Sequence, residues 1–195
     1  MTTSSTPTVK VIFVGSSSVG KTCLIGALFH QDFNPQPVPT VAPAFNVVDI
    51  TQKSGRMITL QVWDTAGQER YSAVNLLFYR DADVACVCYD PGNPEFKESV
   101  PTWIKSVLEE VPTCKLFLIL TKLDLYDEQK ISEFKAEANL LKEKFQIEEI
   151  FYTSAAAKTG FENLLQAAAD TANIAPVMNA VALDAPQQEQ KKGCC

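Results

Sequence analysis

Short apolar runs of strand length alternate with amphipathic stretches along most of this chain. The runs Val9–Val14, Ala44–Ile50, Met57–Trp63, Val84–Tyr89, Leu116–Leu120 and Ile150–Tyr152 predict six strands. Two of them, Val84-Ala-Cys-Val-Cys-Tyr89 and Leu116-Phe-Leu-Ile-Leu120, have no polar position to turn toward water. Continuous apolarity of that kind suits parallel strands covered on both faces. Lys53-Ser54-Gly55-Arg56 separates two β-rich runs and predicts the turn of an antiparallel hairpin. Between the strands, apolar residues recur at helical spacing. Leu24, Ile25, Leu28 and Phe29 form one stripe, and Trp103, Val107 and Val111 a second, with Pro101 expected in the first turn of that helix. Phe134, Ala138, Leu141 and Phe145 form a third; Phe161, Leu164, Leu165 and Ala168 form a fourth behind a Thr159-x-x-Glu162 capping box. The predicted fold is α/β, a mostly parallel six-stranded sheet with one antiparallel strand and helices on both faces.

The periodicity dissolves after about Pro176 into a proline- and glutamine-containing stretch, so the expected organisation is a flexible segment 1–8, a folded domain 9–175 and a flexible tail 176–195. At 195 residues, with 46% hydrophobic and 21% charged positions, the chain is long enough to bury one core without staples. A net charge of −6 offers no global attraction to nucleic acid or to an anionic membrane. Met1–Thr8 lacks an apolar core of signal-peptide length and no run approaches a transmembrane span, which predicts a protein made in the cytosol. Cys23, Cys86, Cys88 and Cys114 lie in apolar segments and are expected to behave as small buried hydrophobes. Cys194 and Cys195 lie outside any such segment.

Gly15-Ser-Ser-Ser-Val-Gly20-Lys21-Thr22 matches G-x-x-x-x-G-K-[ST], with a predicted strand before it and a predicted helix after it. Such a loop wraps its backbone so that the N–H groups of Ser17, Ser18, Val19, Gly20, Lys21, Thr22 and Cys23 face phosphate oxygens. The helix N-terminus adds its positive dipole end there. Lys21 brings a full charge to the β- and γ-phosphates, and the Thr22 hydroxyl is a ligand for Mg²⁺. Alone, the loop specifies a nucleoside triphosphate and leaves ATPase, nucleotide kinase and GTPase open. Trp63-Asp64-Thr65-Ala66-Gly67-Gln68-Glu69-Arg70 narrows the choice. An aspartate at a strand's end holds Mg²⁺ through a water, a glycine N–H meets the terminal phosphate, and a glutamine orients an attacking water.

These two segments together resemble the Ras superfamily of small GTPases, and within it the Rab family. Asp64-Thr-Ala-Gly-Gln-Glu-Arg70, Leu60-Gln-Val-Trp63, Phe78-Tyr-Arg80 and the terminal Cys194-Cys195 carry the Rab resemblance. It implies that Thr40 ligates Mg²⁺ and senses the γ-phosphate, that Phe33 packs on the guanine edge, and that Gly67 and Gln68 form the switch II pair, Gln68 being the catalytic residue. It also implies that Phe45, Trp63 and Phe78 face effectors. Thr121-Lys122-Leu123-Asp124 resembles the N-K-x-D element, with threonine in first place as in the Rho family. Asp124 is expected to accept two parallel bonds from guanine, whereas adenine has no matching donors and would leave a buried carboxylate unpaired. The Lys122 methylenes are expected over the base plane. Thr153-Ser154-Ala155-Ala156 resembles the T-S-A-K loop, in which Ser154, Ala155 and Ala156 border the base and the Ala155 N–H meets guanine O6.

The sequence departs from the family pattern at Pro43 after Thr40, at Ser17 and Ser18 in the phosphate loop, at Thr121 and at Ala156. Pro35, Pro37 and Pro39 restrict the approach to Thr40 as well. Gly193-Cys194-Cys195 resembles the Rab double-cysteine signal, which implies geranylgeranyl groups on Cys194 and Cys195 and hence a membrane anchor. The tail's own charges supply none, because Asp184 and Glu189 cancel Lys191 and Lys192.

The expectation is therefore a GTP-hydrolysing switch in vesicle traffic, with GTP/GDP as ligand, Mg²⁺ as cofactor and slow intrinsic turnover. Its implied partners are an exchange factor, a GTPase-activating protein, a GDP dissociation inhibitor, a prenylation escort protein and effectors, with no nucleic acid. A monomer is expected on the cytoplasmic face of endomembranes, with a cytosolic pool. Two other readings stay open at this point: a nucleotide-binding scaffold that no longer hydrolyses, and a P-loop kinase acting on a small metabolite.

Overall fold

The computed structural model describes residues 6–37, 40, 44–65 and 78–172. Its six strands are β1 (Thr8–Val14), β2 (Ala44–Thr51), β3 (Met57–Asp64), β4 (Val84–Tyr89), β5 (Lys115–Leu120) and β6 (Glu149–Tyr152). The helices described are α1 (Lys21–Leu28), α2 (Pro94–Glu110), α3 (Glu128–Phe145) and α4 (Leu164–Thr171). The strands form one sheet in the order β2-β3-β1-β4-β5-β6. Among these described strands only the β2–β3 pair is antiparallel. All six expected strands form, with ends within a residue of the apolar runs.

Alternation along β1 divides the core in two. Val9, Val11 and Phe13 point to the face covered by Leu24 and Ile25 of α1 and by Leu164 and Ala168 of α4. Ile12 and Val14 point to the face covered by Val100, Ile104 and Val107 of α2 and by Ala138 of α3. Every residue of β4 is buried, as its unbroken apolarity requires. Each fully buried Ile, Leu or Phe contributes about 1.5–3 kcal/mol from apolar burial, and β1, β4 and β5 form the buried centre of the sheet. The hairpin turn forms as expected, with Gly55 at φ +83° and Gln52 N–H donating to the Arg56 carbonyl.

Three local expectations are corrected. Pro101 is not in the first turn of α2 but inside the helix, which begins at Pro94 behind an Asn93 N-cap whose side chain accepts from Glu95 N–H at 3.0 Å. Pro101 has no N–H to give the Lys97 carbonyl one turn back. The apolar stripe pointed to the later start because the first turns of α2 are mostly polar. The Thr159–Glu162 capping box does not form either: α4 starts at Leu164, and Asn163 at its N-cap makes no side-chain bond to it. Thr159 instead exchanges both backbone bonds with Ser154, and Glu162 accepts from Gly160 N–H at 3.2 Å. Finally, Cys86, Cys88 and Cys114 are buried, but Cys23 is half-buried and borders a cavity. No helix among the described residues is long and apolar enough to cross a membrane.

Candidate functional site

Because β1, β3, β4, β5 and β6 run parallel, their carboxyl ends lie along one edge of the sheet. β1 sits where the strand order reverses, between β3 and β4, which opens a crevice beyond those ends. A cavity of about 510 Å³ occupies it, within the range of a small-molecule site.

The loop Gly15–Gly20 joins β1 to α1 at one wall. Gly15 has φ +140°, and a Cβ there would overlap the Cys88 carbonyl oxygen of β4. Gly20 is left-handed at φ +100° and forms the N-cap of α1. Val19 is fully buried and anchors the loop in the core. Lys21 is only 6% exposed, and its ammonium donates to the Gly15 carbonyl at 2.8 Å and the Ser16 carbonyl at 3.0 Å. Burial holds the Lys21 pKa below the usual lysine range, with Asp64 pulling it back up. Its bonds to two carbonyls hold the charge at the mouth of the loop, where an anion would be better compensated.

Beside Lys21, three oxygens converge. Thr22 Oγ1 donates to Asp64 Oδ2 at 2.7 Å, Thr40 Oγ1 donates to the same oxygen at 3.2 Å, and the two hydroxyls lie 2.8 Å apart. Asp64 is buried at the end of β3, and desolvation raises its pKa against the opposing hydroxyl bonds and Lys21. Its Oδ1 is buried and has no hydrogen-bond partner among the described residues. An all-oxygen set with an uncompensated carboxylate oxygen fits a hard cation such as Mg²⁺.

The other wall follows β5 and β6. Thr121 is buried, and its hydroxyl reaches the Val19 carbonyl at 2.7 Å and the Tyr89 carbonyl at 3.0 Å, tying the phosphate loop to the neighbouring strand ends. Lys122 is left-handed at φ +58°, with Nζ 3.3 Å from Asp90 Oδ2. Asp124 lies in the 3₁₀ turn Leu123–Leu125 with its side chain exposed on the cavity. Ser154 Oγ donates to Asp124 Oδ1 at 2.6 Å and accepts from Ala157 N–H at 2.9 Å. Gly160 turns this segment back at φ +82°, where a Cβ would overlap the Tyr152 carbonyl.

The cavity thus brings together Ser17, Ser18, Gly20, Lys21, Thr22, Cys23, Phe33, Thr40, Thr121, Lys122, Asp124, Ala155 and Ala156. Val19, Asp64 and Ser154 stand behind its surface as supports. Phe45, Trp63 and Phe78 assemble elsewhere: Phe45 and Trp63 stack with centroids 4.8 Å apart, and Phe78 lies 6.0 Å from Trp63. Pro39, Pro43, Gly67, Gln68, Ile174, Cys194 and Cys195 lie outside the described residues. Sequence reasoning missed Thr65, which is buried at the cavity and donates to the Phe13 carbonyl at 2.6 Å, and Asp90. Asp90 had a usable signal, since like Asp64 it closes a β-strand run at the carboxyl end of the sheet.

The strand order and this loop-lined crevice define a P-loop nucleotide-binding protein of the G-domain type. The Ras family model matches residues 10–174. The chain is 32% identical to Ras-related protein Rab-24 of Dictyostelium discoideum, covering 95% of this chain and 96% of that one. It is 34% identical to Ras-related protein Rab-17 of Mus musculus, covering 95% and 90%. With Ras-related protein Rab-7a of Dictyostelium discoideum it shares 31% identity over 95% and 96%. The chain belongs to the Ras family, as a Rab-type small GTPase. Ras-family GTPases in general bind GTP or GDP with Mg²⁺.

Proposed function

We propose that this chain performs its family's activity, GTP hydrolysis in the service of vesicle traffic, through the cavity at the strand ends. The observation that carries this reading is that the buried Lys21 and the Asp124 carboxylate open onto one cavity of about 510 Å³. Backbone N–H groups from Ser17 to Cys23 and the Lys21 ammonium hold the phosphates. Asp124, oriented by Ser154, selects guanine over adenine, with Phe33, Lys122, Ala155 and Ala156 around the base. Thr22 and Thr40 with Asp64, the last through a water, would hold Mg²⁺, which neutralises charge on the β- and γ-phosphates when bound.

Gln68 orients the attacking water, and Thr40 and Gly67 sense the γ-phosphate, so their segments are held in one nucleotide state and released in the other. Phe45, Trp63 and Phe78 present the effector surface. Family membership supports exchange factors, activating proteins, a dissociation inhibitor and effectors as partners. Geranylgeranyl groups on Cys194 and Cys195, added with an escort protein, anchor the monomer to the cytoplasmic face of endomembranes and leave a cytosolic pool. The hydrolysis-deficient scaffold is not favoured, because the chain belongs to a family of GTP hydrolases and Thr22, Thr40 and Asp64 keep the oxygen cluster that would hold Mg²⁺.

Purified protein loaded with GTP and Mg²⁺ tests the reading in a single-turnover phosphate-release assay. Slow release, further slowed in Gln68→Leu while GTP stays bound, is the expected result. Equal affinity for guanosine and adenosine nucleotides would overturn it.

A further inference from the structure

Outside the phosphate loop, a buried and fully engaged carboxylate lies at Asp90, just past the end of β4. Asp90 is buried at 7% exposure. Its Oδ1 accepts from the Tyr126 phenol at 2.6 Å and from Gly92 N–H at 3.2 Å, and its Oδ2 lies 3.3 Å from the Lys122 ammonium. Both carboxylate oxygens are thus engaged, and the group has little freedom to turn away from Lys122.

Tyr126 is the part of this cluster that comes from beyond the base-binding motif. Its backbone N–H donates to the Leu123 carbonyl at 3.2 Å, which closes the turn containing Asp124. Its ring meets Phe134 of α3 edge-on at 5.1 Å, which fixes the ring plane. Its hydroxyl lies over Gly92 so closely that a Cβ at position 92 would overlap the phenol oxygen. The glycine therefore leaves the space that the tyrosine fills. Burial, reinforced by the bond to Asp90, pushes the Tyr126 pKa up to about 12, so the phenol keeps its proton for donation at neutral pH.

We infer that Tyr126 is a positioning residue for nucleotide retention: its phenol fixes Asp90, Asp90 fixes the Lys122 ammonium, and Lys122 is thereby held as one wall of the base pocket while the Tyr126 backbone closes the turn of Asp124. This inference rests on the proposed guanine-nucleotide role of the cavity. It assigns the retention of nucleotide partly to a residue that touches neither phosphate nor base.

The test is the rate at which a fluorescent GDP leaves the full-length protein in Mg²⁺ and excess unlabelled GDP. Tyr126→Phe removes only the hydroxyl, and release is expected to quicken about three- to tenfold, the range of one net hydrogen bond. Lys122→Met is expected to quicken it as well. The double variant is expected to release no faster than Lys122→Met alone, because the phenol acts through Lys122. A merely structural tyrosine would instead give effects that multiply, and that result overturns the inference. So does a Tyr126→Phe rate equal to that of the unsubstituted protein. Gly92→Ala, which displaces the phenol without removing it, is expected to reproduce the Tyr126→Phe rate and decides the matter if Tyr126→Phe does not fold. If the unsubstituted protein holds fluorescent ADP as long as GDP, the guanine reading itself falls. If it holds GDP selectively and Tyr126→Phe changes nothing, only the present inference falls.

Discussion

Asp124 is a short carboxylate in an exposed turn, and its environment decides what it can recognise. Ser154 donates to one of its oxygens at 2.6 Å and leaves the carboxylate facing the cavity. On the proposed reading, guanine supplies two donors to that group, and removing the charge leaves one amide donor opposed to a base donor. Asp124→Asn is therefore expected to weaken GDP binding about 100-fold or more and to favour xanthine nucleotides. Competition between GDP and XDP measures this, and unchanged selectivity would remove Asp124 from the role. Thr121 shows a different use of a side chain in the same motif. Its hydroxyl faces the Val19 and Tyr89 carbonyls, so threonine here joins the two walls of the site, whatever else an asparagine could have done. The motif was legible as a spacing of residues. That its first member is buried while its last is exposed was not, because burial depends on what the other strand ends place above it.

Among the elements, α2 illustrates how a polar beginning hides a helix. Asn93 caps it, Pro94 follows at the first helical position, and Glu95 places an acidic group by the positive dipole end. Asn93→Ala is expected to cost about 1 kcal/mol of folding stability, read as a lowered unfolding midpoint in urea; an unchanged midpoint would show that the cap is replaceable. Pro101, despite its position inside α2, does not end it, because Val100, Ile104 and Val107 pack on the sheet and keep the helix in place. At α4 the capping pattern is present in the sequence and the cap itself is not formed. A Thr-x-x-Glu pattern signals a cap only when Thr159 is free to enter the helix, and its backbone is already paired with Ser154. A local signal there lost to a contact between residues 154 and 159 that shapes the rim of the cavity. Strands are more legible in the sequence than helix starts because an apolar run must be buried wherever it lies.

In the molecule as a whole, segments separated by more than a hundred residues meet because parallel strands bring their carboxyl ends to one edge. Lys21 follows β1, Asp64 ends β3, Asp90 follows β4, Thr121 follows β5 and Ser154 follows β6. The proposed membrane anchor belongs to this scale as well, since a net charge of −6 gives the chain no general attraction to an anionic surface. With about 0.8 kcal/mol for each buried CH₂, two prenyl chains are sufficient for stable attachment. Removing Cys194 and Cys195 is therefore expected to move the protein from the membrane to the soluble fraction of cells, and fractionation that finds it still membrane-bound would defeat prenyl anchoring. By itself the sequence determined the six strands, the loop that follows β1 and the chemical types that border the cavity, because apolar runs, a turn bounded by glycines and the spacing of residues within a motif are local properties of the chain. The tertiary structure decided which of those groups are buried, that Thr22, Thr40 and Asp64 share one oxygen cluster, and that Tyr126 reaches Lys122 through Asp90. Those relations depend on the packing of strand ends and helices across the sheet, and no local pattern encodes a distance between residues that meet only after the chain has folded.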